Sequence, residues 1–517
     1  MIFNKNYLYI SLIAIFSFFI NFHYANIGVM PMDNFVLYNG GYRVLNGYIP
    51  FKDYWLITGP LLDYLNAFFF LIGGVTWKSY IAHSSLFNSI IALSTYFFLI
   101  KLKLNKNLSL FYSILLSLLM YPVVGTPFVD HHSTIFMILA YYLLMIGIKK
   151  DNYNLFLFIP FLICLSFLSK QTPAAYGLIC IIFIFFIYIF FNSNQFINII
   201  KPLIHGSVLS FLFLIIFFYL SGISISDFIQ QYILFAKTIG DYRIPNYEFN
   251  LNSVFVQYKF INVLLLLLIF ILFRLPNKFG KNKKDFFVIL SSILLSVSLI
   301  FHQILTLNQI YIFFLIPFIT ALIHVYQGKI FRKNQLLLYF SILICIYAVG
   351  KYHVRFNEHR KFNELEKINL TKAIDANQLH HSLSGLQWIT LNYPEEPSNE
   401  IDDLREAMEI IKHDNRKKTL ITAYQFIAPA LSIYDHSPNQ WHHPKISFPI
   451  KGQKYFSVYK QFFIQSLKKN KIEIIYIIGK NDKDILNLIL DAKCFDQKKV
   501  GNIIYKNELL KKCEDFQ

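Results

Sequence analysis

Charge is what this sequence has least of. Only 15% of its 517 residues are Asp, Glu, Lys or Arg, against about 25% in a soluble globular chain. Acids are scarce before Lys351 and frequent after it. That shortage excludes an ordinary soluble fold for the first two thirds of the chain. Cysteine is scarce too, at five residues, which excludes a disulfide-built scaffold. No Walker A pattern, GxGxxG fingerprint or GxSxG elbow occurs, so the common phosphate-loop, dinucleotide and serine-hydrolase readings have no motif to rest on. The first apolar run, Tyr7 to Phe22, is followed by His23-Tyr24-Ala25-Asn26 and not by a small-x-small cleavage site. It reads as a retained membrane span and not as a signal peptide.

What is abundant is apolar and aromatic: 55% and 18% of residues. Runs such as Leu178–Phe191, Ile261–Phe273 and Ile310–Ile323 are long and closely repeated enough for membrane spans. The hydrophobic pattern predicts eleven of them, near 6–22, 79–100, 108–124, 132–148, 154–169, 173–191, 203–220, 259–273, 286–301, 308–326 and 335–350. The apolar stretch 61–72 is too short to cross and reads as an interfacial helix. The formal net charge of +18 would suggest nucleic acid on a soluble protein. Here no nucleic-acid motif accompanies it, and nucleic acid is not expected as a partner. The basic residues instead sit in alternate short loops: KLKLNKN (101–107), KKDN (149–152), RLPNKFGKNKK (274–284) and QGKIFRKN (327–334). The intervening loops, GTPFVD (125–130), the turn at Lys170-Gln171 and HQILTLN (302–308), hold one basic residue, Lys170. By the positive-inside rule the N-terminus is cytoplasmic. An odd span count then puts the long loops 23–78 and 221–258, and everything after residue 350, outside the cytoplasm.

The division expected is a transmembrane domain over 1–350 and an extracytoplasmic α/β domain over 351–517. Helical patterns at 398–414 and 453–470 alternate there with short apolar runs at Thr419–Tyr424 and Ile472–Ile478, as in small α/β domains. Cys164, Cys180 and Cys345 fall in spans and read as packing residues. Cys494 and Cys513 are the only two in the outer segment. An oxidising compartment allows them to pair, and two buried free thiols are the alternative.

The first outer loop holds the most chemistry. Pro31 to Gly74 reads PMDNFVLYNGGYRVLNGYIPFKDYWLITGPLLDYLNAFFFLIGG, with Asp33 and Asp53 among aromatics, glycines and prolines. A carboxylate just outside a span is expensive to hold near lipid without a purpose. Elsewhere on the same face stand Asp130-His131-His132 and His302-Gln303, read as polar lining or substrate contacts. A zinc site needs three or four convergent ligands, and adjacent histidines suit one helix face poorly, so no metal is expected. No cofactor is called for, and a need for a divalent cation is left open.

The order of features in this loop resembles the GT-C class of membrane glycosyltransferases, in particular protein O-mannosyltransferase-like and lipid A aminoarabinose transferase-like proteins. The resemblance rests on Asp33 after the first span, the stretch Val36–Leu45, the run Gly47-Tyr48-Ile49-Pro50-Phe51-Lys52-Asp53, and Gly59-Pro60 through Gly73-Gly74. Many relatives carry Asp-Glu where this chain has Asp33-Asn34, so a second acid at that point is missing. The resemblance implies a GT-C-like bundle in the inner (plasma) membrane. It also implies inverting transfer of a sugar from a polyprenyl-phosphate donor to a glycan, lipid or protein acceptor. Such a reaction needs one base for the acceptor hydroxyl. The lipid phosphate leaves readily, so the paired acids of a glycoside hydrolase are unnecessary. Asp33 is the expected base; its alternative role is a helix N-cap. Asp53 either orients the acceptor or pairs with Lys52 or Arg43.

The donor phosphate needs cations. Lys170, at an outer helix junction followed by Gln171-Thr172-Pro173, is the first candidate, since the resemblance includes a similar turn. Arg243 is the second, unless it only pairs with Asp241. Two rival functions remain: a transporter or flippase for lipid-linked glycans, and a GT-C-like ligase or polymerase. Transporters often show repeated halves, and this chain shows no internal repeat.

Overall fold

A computed structural model of the chain describes residues 5–243, 254–306, 312–330, 335–479, 482–510 and 513, without the side chains of Lys5 and 240–243. Most of the described chain is helical. Seven helices are long and apolar enough to cross a membrane: Asn6–Ala25, Trp77–Lys101, Val129–Lys150, Gln171–Phe190, Ser193–Ser221, Lys283–Thr306 and Leu336–Glu358. The other four expected spans are helical but shorter, over Lys106–Leu119, Tyr153–Ser169, Lys259–Arg274 and Ile312–Gln327. The architecture is therefore that of a polytopic helical protein, with seven helices reaching span length among the described residues. The apolar surface of these helices is large. In the span 193–221 only 11% of the apolar window is buried, leaving side chains such as Ile197, Phe211 and Leu220 exposed. An apolar face of that extent is unfavourable in water and suits lipid.

The chain forms two compact units that do not follow chain order. The first comprises Met1–Ala25, Ser84–Phe217 and Arg243–Phe362; the second comprises Asn26–His83, Phe218–Tyr242 and Asn363–Gln517. The boundary drawn at residue 350 from composition thus differs from the compact units: most of the first long loop, and the second as far as Tyr242, group with the C-terminal segment. The first unit is a helical bundle whose apolar core runs from Ile91 to Phe356. Close approach is permitted where side chains are absent: a Cβ on Gly206 would meet the Leu157 carbonyl oxygen at 2.1 Å.

The second unit mixes helices and strands. Its main sheet has the order β3-β4-β6-β5, from Lys418–Thr422, Ile474–Ile478, Ile504–Leu509 and Phe495–Lys499. Strands β3 and β4 are parallel, and the other pairs are antiparallel. The helix Phe456–Lys469 lies in the connection between the parallel pair, as a parallel pair requires a crossover. A short antiparallel pair joins Ile374–Asp375 (β1) to Gln387–Trp388 (β2). The core around β4 includes Trp55 and Phe235 from the two loop segments. This mixing is why the loops belong to this unit. Cys494 and Cys513 are joined by a disulfide, with Cα atoms 5.0 Å apart.

Candidate functional site

In the first unit, the helices Ile159–Ser169 and Gln171–Phe190 are separated by one extended residue, Lys170 (φ −157°, ψ 138°). Pro173 sits in the first turn of the second helix, where a missing N–H costs nothing. The break frees the Lys170 carbonyl, which accepts from the Ser133 hydroxyl at 3.1 Å. Ser133 is itself tied to Ser166, whose hydroxyl donates to the Ser133 carbonyl at 2.7 Å.

The Lys170 ammonium reaches Asp130, donating to both carboxylate oxygens at 2.8 and 2.6 Å. Asp130 lies in the first turn of Val129–Lys150, where the helix dipole favours a carboxylate. His302 Nε2, near the end of Lys283–Thr306, stands 2.9 Å from the same carboxylate. Asp130 and His302 are buried, at 2% and 0% side-chain exposure, while Lys170 keeps 23%. The next residue, Gln303, is fully buried. Neither end of its amide has a hydrogen-bond partner among the described residues, a costly state for a buried polar group unless water or ligand meets it. His131 and His132 diverge from Asp130. His132 Nδ1 hydrogen-bonds the Tyr121 hydroxyl. His131 packs against the rings of Tyr121 and Phe128, at 5.0 and 5.8 Å. Among the described residues no group of three or more His, Cys, Asp or Glu could hold a metal ion.

Lys170, His302 and Asp130 are therefore brought together within one unit, and Gln303 adjoins them in the chain. The partner of Lys170 inside the protein is Asp130. Loop alternation assigns both to one expected face, but nothing in the sequence shows that they meet. Arg243 ends the helix Ala236–Arg243; its side chain, and the pairing proposed with Asp241, lie outside the described residues.

Asp33 and Asp53 belong to the second unit. Asp33 sits inside a short helical turn, Pro31–Asn34, half-buried, with its N–H bonded to the Met30 carbonyl at 3.0 Å. It does not cap the following helix, Val36–Leu45: that position is Phe35, which makes no side-chain cap bond. Asn34 has the local structural role, accepting the Met30 N–H at 2.7 Å. Asp53 accepts the Ile49 N–H at 2.8 Å and closes its own turn. Its ion-pair partner is Lys469, at 2.9 Å. Of the two roles left open for Asp53, the pairing one falls to neither Lys52 nor Arg43: Arg43 is engaged by Asp435 at 2.5 Å, and a distant lysine takes its place.

Sequence reasoning missed a buried polar network in this unit. Asp435 accepts from Arg43, from Asn39 at 2.7 Å and from the Ser437 N–H at 3.0 Å. Burial alone would raise its carboxyl, but the charge and hydrogen bond of Arg43 hold it below the usual carboxylate range. Arg43 also lies over the Tyr54 ring, 5.0 Å from its centre. The Tyr54 hydroxyl donates to Asp63 at 2.8 Å, and Gln440 donates to the same carboxylate at 2.7 and 2.9 Å. Burial pushes the Asp63 carboxyl up to about 7, against these hydrogen bonds and the Arg43 charge. Gly40 admits Asp63 because it has no side chain: a Cβ there would stand 2.2 Å from the carboxylate oxygen. The only sequence signal was an acid on the apolar helix Leu61–Gly73.

No known protein family matches the chain, and no curated protein matches it.

Proposed function

We propose that this chain is a polytopic glycosyltransferase of GT-C type. It moves a sugar from a polyprenyl-phosphate donor to an envelope glycan, lipid or protein on the outer face of the inner membrane. In this reading all eleven apolar helices are embedded in the membrane, the N-terminus is cytoplasmic, and the segment after residue 350 is extracytoplasmic. The observation that carries the reading is the cluster of Lys170, Asp130 and His302 at a helix break in an apolar bundle. A cation retained there, still partly exposed, suits a phosphate that travels on a lipid. The loop from Pro31 to Gly74 supplies the acids. Asp33 takes the proton of the acceptor hydroxyl as the acceptor oxygen bonds to the anomeric carbon. The bond from that carbon to the phosphate oxygen breaks, and polyprenyl phosphate leaves. Lys170, with Arg243, neutralises the phosphate; Asp130 and His302 position Lys170. Asp53 and Lys469 brace the loop.

Mass spectrometry of lipid-linked sugars with and without the protein tests the class. Loss of the protein should accumulate a polyprenyl-phosphate monosaccharide. A diphosphate-linked oligosaccharide accumulating instead would point to a ligase. Asp33→Asn tests the base and should lower turnover about 10² to 10⁴-fold with donor binding intact. Near-normal turnover in a folded variant would defeat the assignment. Alkaline phosphatase fused after residue 517 should be active; an inactive fusion beside a fluorescent cytoplasmic reporter would reverse the topology.

A further inference from the structure

The two helices that carry Asp130 and His302, and the helix that follows Lys170, also have opposite ends. Val129–Lys150 ends beside Asp151, Gln171–Phe190 ends at Phe191, and Lys283–Thr306 begins at Lys283. A 22-residue helix is about 33 Å long, close to the hydrocarbon thickness of a bilayer. At this far end lies an open cavity of about 1050 Å³ lined by Asp151, Phe191 and Lys283 together with the loop and first turns leading into Phe196–Ser221. Its wall is rich in amides and basic residues: Asn154, Asn192, Asn194, Lys201, His205 and Lys283. The one acid lining it, Asp151, is already ion-paired with Lys284. Lysines therefore outnumber the acid, and that acid's charge is met from outside the cavity wall.

The cavity has a built-in reason to exist. Gly206 brings its helix against the Leu157 carbonyl, and one turn earlier Pro202 interrupts the helix hydrogen bonding. The cavity lies beside this contact, lined by residues of 151–157 and of 191–205. Lys201 and His205 also border a second, apolar groove of about 260 Å³, formed by Phe196, Ile197, Ile200 and Ile204 on the outward face of the same helix. A polar, cationic chamber thus continues into an apolar groove on a surface suited to lipid.

We propose that this chamber binds the phosphate headgroup of an anionic membrane phospholipid, with an acyl chain lying in the groove along Phe196–Ile204. Amide donors and ammonium groups suit phosphate oxygens, and basic residues at this bundle end suit the anionic leaflet. The adjoining groove is what selects a lipid over a free phosphate. The inference needs the chain to span a membrane but is independent of the transferase reading, because it concerns the opposite end of the bundle.

The test is native mass spectrometry of the full-length protein in mild detergent, titrated with phosphatidylglycerol, phosphatidylcholine or glycerol 3-phosphate. Phosphatidylglycerol should bind preferentially. Lys201→Gln with Lys283→Gln should weaken it about 10- to 30-fold, leaving phosphatidylcholine unchanged, and arginine at both positions should restore it. Equal retention of the two lipids, or no effect of the glutamine pair, would overturn the proposal. Effective competition by glycerol 3-phosphate would overturn the lipid assignment in favour of a soluble phosphate. Should the glutamine variant fail to fold, a phosphatidylglycerol carrying a headgroup photolabel decides on the unaltered protein. Label within residues 191–205 or at 283 supports the site, and label confined elsewhere removes it.

Discussion

In each unit a buried aspartate is held by a basic residue, Asp435 by Arg43 and Asp130 by Lys170, but the basic residues differ in kind. In the second unit Arg43 is 1% exposed and Asp435 gathers three donors. In the first unit Lys170 is 23% exposed, and Asp130 is shared between it and His302. Arginine presents a rigid fork suited to a sealed pair; lysine is a compact charge on a flexible stem. The sealed pair reads as a clamp that fixes one arrangement of the chain. The partly open pair retains an ammonium that can turn to another anion. Burial of charge by itself therefore does not mark a site; the access left to the cation does.

The sharpest break of this comparison is Arg43→Met. It leaves Asp435 buried without its cation and should cost about 3 to 5 kcal/mol of stability, seen as a lowered denaturant midpoint. Adding Asp435→Leu should recover much of the loss; no recovery would mean that Arg43 acts through its packing on Tyr54. Next, Cys494→Ser or mild reduction should cost roughly 3 kcal/mol in the chain-entropy model. Calorimetry should place that loss in the second unit. The first unit, whose Cys164, Cys180 and Cys345 are free, should not respond.

A third effect comes from Asp63, whose carboxyl burial pushes up to about 7. The folded state then binds more protons than the unfolded state between roughly pH 4 and 7. Its contribution is full below pH 4 and is lost as pH rises through 7. Unfolding midpoints measured across that range should show a decline that Asp63→Asn removes. The smallest stability change belongs to Lys170→Gln. His302 still faces Asp130 and Lys170 is partly solvated, so about 1 kcal/mol is expected. Its main effect should be on donor: the concentration needed should rise while acceptor dependence stays. Equal stability losses for Arg43→Met and Lys170→Gln would erase the distinction between clamp and site.

Legibility from sequence followed the range of the interaction. The apolar helices were readable because a span is a local property of composition. Loop alternation grouped Asp130, Lys170 and His302 on one expected face, but their convergence was not readable from it. The length of each helix was less readable: of the segment expected over 108–124, the helix ends at Leu119, before Met120. Long-range pairing was not readable. Nothing around Arg43 distinguishes Asp435 from Asp53 as its partner, and Lys469 is one of many exposed lysines. The grouping of 26–83 and 218–242 with the C-terminal segment depends on contacts such as Trp55 with Phe235 and Tyr459, which no periodicity encodes.

That grouping has a consequence for biosynthesis. Arg43 and Asp435 are separated by 392 residues. At a synthesis rate of about 5 to 20 residues per second, the early segment waits about 20 to 80 s for its partner to leave the ribosome. Through that interval Arg43 and Asp63 are on a finished stretch of chain whose other half has not been made. A message cut short before residue 435 would release a protein with its apolar helices complete and the Asn26–His83 segment without its polar partners, a ready substrate for proteases.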